Sequence, residues 1–61
     1  MNILQELYIV QDQLLPEYRE AAKCLFRQYN QRGEIGEFEY DLAEALVMIA
    51  LNGGGHEHMP L

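Results

Sequence analysis

Residues 44–55 read EALVMIALNGGG and contain seven consecutive apolar residues, from Ala45 to Leu51. A helix that packs on one side needs only an apolar stripe, whereas this run surrounds the helix with apolar side chains. In a chain of 61 residues, little other structure is left to cover both sides of such a helix. The fold therefore depends on which side of this segment faces the core, and the other side is the first candidate for a functional surface.

The length and the cysteine content set limits on the class of protein. A chain of 61 residues forms at most one small domain, and such domains bury only about 60% of the surface that their unfolded chain exposes. Cys24 is the only cysteine, so a disulfide framework is excluded and a reducing compartment is indicated. The sequence has neither an apolar stretch long enough to span a bilayer nor the pattern of a signal peptide. We therefore expect a cytoplasmic protein, without membrane contact, that gains burial from a partner or a second copy.

The net charge of −6 is unevenly distributed along the chain. All four basic residues lie within residues 16–33, whereas residues 34–61 contain six acidic residues and neither lysine nor arginine. An acidic protein is repelled by nucleic-acid phosphates unless it concentrates positive charge locally. The charge therefore disfavours direct DNA or RNA binding and favours a basic partner protein.

The spacing of apolar residues predicts an all-α fold, a small domain of three helices over about residues 3–14, 16–31 and 37–51. Pro16 disfavours helical geometry in the residue before it, so we expect the first helix to end there. The alternative is a kinked helical hairpin that dimerises into a bundle. The glycines after Asn52 are expected to end the third helix, which gives a single helical domain over 1–52 and a flexible glycine-rich tail over 53–61.

Capping residues and apolar positions support the first two helices. Asn2 is placed to cap the first helix, and Gly33 is placed to end the second. The predicted core positions are Ile3, Leu7, Val10 and Leu14 in the first helix and Tyr18, Ala22, Leu25 and Tyr29 in the second. Ile9 falls on the polar side of the first helix and is expected to be exposed.

The third helix carries two apolar stripes when its residues are placed at intervals of roughly 100°. One is predicted to face the core: Phe38, Leu42, Ala45, Leu46 and Ile49. The other either consists of scattered surface residues or forms a protein–protein contact with an apolar centre and an acidic rim. We adopt the contact as the hypothesis, and its predicted partner-binding residues are Glu37, Tyr40, Asp41, Glu44, Val47, Met48 and Leu51.

The charged residues of the helices do not match a catalytic or metal site. The acidic residues lack the spaced pattern of a calcium loop, and a convex helix offers no cleft for general acid–base chemistry. They are interpreted as a solvated face or as a mimic of nucleic-acid phosphates. Arg19, Lys23 and Arg27 are expected to pair with third-helix acids or to face solvent. A DNA-binding helix-turn-helix is disfavoured because its recognition helix would bring acidic residues to the major groove.

Two further features could carry chemistry, and neither is expected to. His56, Glu57 and His58 could hold copper or nickel weakly, but without a third fixed ligand they are expected to form part of a polar tail. Cys24 has no histidine nearby in the sequence and is expected to fill space in the packing. We therefore predict no catalytic residues, no cofactor and no metal, and a protein that is not an enzyme.

In size, acidity, helical content and lack of a catalytic set, the chain resembles in type the small inhibitors that phages and mobile elements direct at host proteins, such as anti-CRISPR and anti-restriction proteins. This resemblance is one of composition and includes no shared motif. It implies a protein-binding regulator or inhibitor that docks an acidic and apolar helix face on a basic or nucleic-acid-binding protein. The alternative function is that of a structural or regulatory homodimer of the helical-bundle type.

Overall fold

The computed structural model describes residues 2–54 of the chain. It confirms the all-α fold, and within the described residues it contains three α-helices, one short 3₁₀ segment and no strand. In chain order these elements are α1 (Ile3–Val10), the 3₁₀ segment (Gln11–Gln13), α2 (Pro16–Arg32) and α3 (Glu37–Leu51). The most extensive helix pairing is that of α1 with α3.

The first helix begins as predicted and ends earlier. The side-chain oxygen of Asn2 accepts a 2.7 Å hydrogen bond from the backbone N–H of Leu4, which satisfies one of the free donors at the start of α1. The α-helical geometry ends at Val10 and tightens into the 3₁₀ segment. Leu14 and Leu15 are then extended, with ψ of 147° and 156°. The break before Pro16 is therefore confirmed, and helical geometry over the whole of 3–14 is corrected to a shorter helix.

The second helix follows the sequence-based prediction closely. Proline is its first residue, where the missing N–H costs no hydrogen bond and the fixed φ suits the helix. Gly33 ends it in the left-handed conformation (φ 79°), and its N–H donates to the carbonyl oxygen of Tyr29 over 2.7 Å. Ala22 and Leu25 enter the core and Tyr18 is half-buried, whereas Tyr29 is exposed, so its prediction as a core residue is wrong.

The third helix turns a different face to the core from the one predicted. Its buried residues are Ala43, Leu46, Val47 and Ala50, whose spacing of i, i+3, i+4 and i+7 defines one face of a helix. Phe38 is 76% exposed, and Leu42 and Ala45 are also exposed. Of the predicted core stripe only Leu46 is buried and Ile49 half-buried, so the prediction for the other three residues is wrong.

Two properties of the chain explain this rotation of α3. Ala43 and Ala50 are almost completely buried, and small side chains at a helix contact let the two axes approach closely. In addition, a helix of eight residues such as α1 rises roughly 12 Å, against roughly 22 Å for the fifteen residues of α3. The short α1 therefore leaves part of the length of α3 without a neighbour from the first helix.

The residues after α3 fold back on the break between the first two helices. The N–H of Gly54 donates a 2.7 Å hydrogen bond to the carbonyl oxygen of Ile49, and its own carbonyl accepts a 2.9 Å hydrogen bond from the N–H of Leu15. Gly54 is buried. Gly54, which falls within the predicted tail, is therefore in contact with the break between the first two helices. The remainder of the predicted tail, 55–61, lies outside the described residues, as does the tract that contains His56, Glu57 and His58.

Candidate docking face on α3

The structure exposes six of the seven residues predicted to bind a partner. These are Glu37, Tyr40, Asp41, Glu44, Met48 and Leu51, which we call the outer face of α3. The seventh, Val47, is only 7% exposed and belongs to the hydrophobic core. Its prediction as an exposed residue is wrong, because the buried face of α3 is centred between Ala43 and Ala50 and Val47 lies on that face.

Three carboxylates form the centre of the outer face. Glu37, Asp41 and Glu44 are spaced i, i+4 and i+7, so they follow one another along the same side of α3. Glu37 and Glu39 lie in the first turn, where the positive end of the helix dipole favours acidic side chains. Within residues 2–54 the one salt bridge joins Lys23 to Glu20 on α2, at 3.6 Å. The carboxylates of α3 are therefore unpaired in the described part of the chain.

The basic residues of α2 contact other groups than the acids of α3. The guanidinium group of Arg19 donates hydrogen bonds to three backbone carbonyls at the end of the first helix: Gln11 (3.4 Å), Asp12 (3.4 Å) and Leu14 (3.0 Å). Arg27 lies 3.9 Å from the sulfur of Cys24. The basic residues of α2 therefore do not form the expected ion pairs with the acids of α3. Arg19 bonds to the backbone across the helix break, and Lys23 and Arg27 contact residues of α2 itself.

Large apolar side chains border the carboxylates on both sides. Tyr40 and Leu51 flank them on one side, and Leu51 is 67% exposed. On the other side lie Phe38 and Leu42, which the sequence assigned to the core. Met48, 62% exposed, continues the line of the carboxylates toward the C-terminal end of the helix. The result is an exposed surface on which a line of carboxylates is bordered by apolar area, the reverse of the apolar centre and acidic rim that the sequence predicted.

Phe38 and Leu42 are the surface residues that sequence reasoning missed. The signal that could have found them is a second regular apolar series in the same helix, Ala43, Leu46, Val47 and Ala50. Two of these four are alanines, so their burial adds little apolar area and the series is easy to overlook beside one that contains phenylalanine. Both series satisfy helical periodicity, and only the packing distinguishes them.

The remaining candidate sites offer no arrangement for chemistry in the described residues. Residues 2–54 contain no group of histidine, cysteine and carboxylate side chains that could hold a metal ion, and no pocket opens on their surface. Cys24 is exposed, so its predicted role as a packing residue is wrong. None of the helices in this part of the chain has the length and apolar content to cross a membrane.

The fold and the exposed face define a small all-α domain whose third helix is apolar on two sides. Comparison with protein-family models, with curated proteins and with solved structures gives no match to this chain.

Proposed function

We propose that this protein is a small acidic protein-binding regulator or inhibitor, which acts by docking the outer face of α3 on a basic partner protein. The observation that carries the proposal is the presence, on one helix, of exposed apolar side chains beside three carboxylates that pair with no basic residue of the described chain. Apolar area provides binding free energy when it leaves water. The carboxylates select a partner of opposite charge and accelerate encounter with it.

The sign of the charge indicates the class of partner. Residues 34–61 carry no lysine or arginine, and a docking surface of one sign favours a partner surface of the other. Nucleic-acid-binding proteins present basic surfaces of this kind. Carboxylates along a helix can occupy such a surface in place of phosphates, which would make the protein an inhibitor of the type that its composition resembles.

The test compares two variants with the same change in net charge. In the first, Glu37→Gln, Asp41→Asn and Glu44→Gln neutralise the outer face. In the second, Glu6→Gln, Asp12→Asn and Glu17→Gln neutralise three exposed acids elsewhere. All three forms are immobilised, exposed to lysate of the source organism, and their bound proteins identified by mass spectrometry.

The proposal predicts at least one basic protein that binds the unaltered chain and the second variant and is lost from the first. Its release by added salt should accompany this pattern, since salt screens exposed charge. If every bound protein is retained equally by the two variants, or if the protein that depends on the outer face is itself acidic, the proposed function is overturned.

A further inference from the structure

A narrow apolar stripe lies beside the outer face and is not part of the core. It consists of Phe38, Leu42, Ala45 and Ile49, and we call it the α3 seam. Phe38, Leu42 and Ala45 are exposed, and Ile49 is half-buried and packs against the core. The seam therefore runs from solvent at the start of α3 to the edge of the core near its end.

The spacing of the seam is that of helix–helix packing. Its residues follow one another at intervals of four, three and four, the alternation by which one α-helix lies lengthwise along another. At roughly 100° per residue the four side chains fall within an arc of about 60°, a stripe about as wide as the contact made by a single helix. Ala45 is a small residue between larger ones, which leaves room for a side chain of the docked helix.

Charge distinguishes the possible occupants of the seam. Asp41 lies between the seam and the rest of the outer face, and every charged side chain on α3 is acidic. In paired helices, charged residues beside the apolar seam determine partner choice. A second copy of this chain brings the same acidic margin and a further net charge of −6, whereas a helix with lysine or arginine beside its apolar positions complements the margin.

From these observations we propose that the partner engages α3 through a basic amphipathic helix, which packs along Phe38, Leu42, Ala45 and Ile49 as an additional helix of the bundle. This inference rests on the proposed function and extends its contact from the outer face, past Asp41, to the neighbouring seam, where it identifies the element of the basic partner that packs there. The exposed Phe38 and Leu42 would then be buried on binding, and the core would extend outward from Ile49.

The test uses a synthetic probe. A peptide of about three heptads, with leucine at the apolar positions and lysine at the flanking positions, is titrated into the ¹⁵N-labelled full chain. The matched control peptide has the same composition in an order that removes the apolar stripe. Amide chemical shifts report where each peptide binds, and the titration gives its Kd.

We expect the amphipathic peptide to shift the amides of the α3 seam and to bind at least about tenfold more tightly than the control peptide. Phe38→Ser should weaken its binding by about tenfold or more, because a large exposed aromatic is the typical anchor of an interface. Ile9→Ser removes a comparably exposed apolar side chain from α1 and should leave the binding unchanged.

Three results would overturn the inference. Equal binding of the two peptides would show that charge alone attracts them, which leaves the proposed function intact and removes the helical occupant. An absence of binding by the amphipathic peptide would remove the helical occupant as well, while the lysate comparison would still decide the proposed function separately. Light scattering that shows a dimer of the unaltered chain, and a monomer for Phe38→Ser, would assign the seam to a second copy.

Discussion

The backbone N–H of Leu15 donates a 2.9 Å hydrogen bond to the carbonyl oxygen of Gly54. Leu15 lies in the break between the first two helices, and Gly54 lies just beyond the end of α3. Leu14 and Leu15 are both extended, so the helical hydrogen-bond pattern has ended and the N–H of Leu15 bonds outside the first helix. The turn after α3 supplies the acceptor and joins two distant parts of the chain.

A methyl group at Gly54 should therefore destabilise the fold. A Cβ atom there would meet the backbone carbonyl oxygen of Gln13, whereas a Cβ atom at Gly33 would meet nothing, and both glycines have φ of 79°. Gly33→Ala is expected to lower the free energy of unfolding by about 1 kcal/mol, the cost of the left-handed conformation alone. Gly54→Ala is expected to cost roughly 1–3 kcal/mol more, because backbone must move to relieve the overlap. Urea denaturation followed by circular dichroism measures both, and equal losses would contradict the close approach.

Val47 and Leu51 should respond differently to substitution by aspartate, although both lie in the apolar run from Ala45 to Leu51. Val47→Asp places a carboxylate in the core and is expected to cost about 3 kcal/mol or more, which leaves so small a domain largely unfolded. Leu51→Asp changes an exposed residue at the end of α3 and should cost no more than about 1 kcal/mol, from the lower helix propensity of aspartate and the negative end of the helix dipole. Helical circular dichroism distinguishes them. If Val47→Asp remained as helical and as stable as Leu51→Asp, the core face described for α3 would be incorrect.

Phe38 and Leu46 provide a second test of which side of α3 faces the core. Leu46→Ala should lower the free energy of unfolding by roughly 2–5 kcal/mol, because it leaves a cavity among buried side chains. Phe38→Ala removes the larger side chain but should change the stability by no more than about 0.5 kcal/mol, since Phe38 is mostly in water. Thermal unfolding of the two variants side by side is sufficient. A larger loss for Phe38→Ala would restore the core stripe that the sequence predicted.

Arg19 should contribute more to stability than Arg27, although the two are two helical turns apart on the same helix. The guanidinium group of Arg19 donates to the backbone carbonyls of Gln11, Asp12 and Leu14, of which that of Gln11 also accepts from the N–H of Leu14. Arg19→Gln is expected to cost about 1 kcal/mol and to increase hydrogen exchange around the 3₁₀ segment. Arg27→Gln is the control, because its contact is with an exposed cysteine sulfur, and it should be nearly neutral. Equal effects would indicate that the contacts of Arg19 are not maintained in solution.

Local features of the sequence determined the helices and most of their ends. Pro16 produced the break, Asn2 and Gly33 marked the start of one helix and the end of another, and Ala22 and Leu25 were recognised as core from their spacing. Each of these depends on a residue's own backbone preference or on its neighbours within a turn or two. Such preferences act before any tertiary contact forms, which is why they can be read from the order of residues alone.

The tertiary structure alone decided which side of α3 is buried and what the glycine turn after α3 contacts. Two apolar series in α3 fit helical periodicity equally well, and close approach of the helices selected the one with the small Ala43 and Ala50. The role of Gly54 depended on a carbonyl of Gln13 and an N–H of Leu15 brought near it by the packing of the helices. Periodicity shows that a helix has an apolar side. When a helix has two such sides, the one that is buried depends on how the neighbouring helices pack against it, and the sequence of the helix alone does not contain that information.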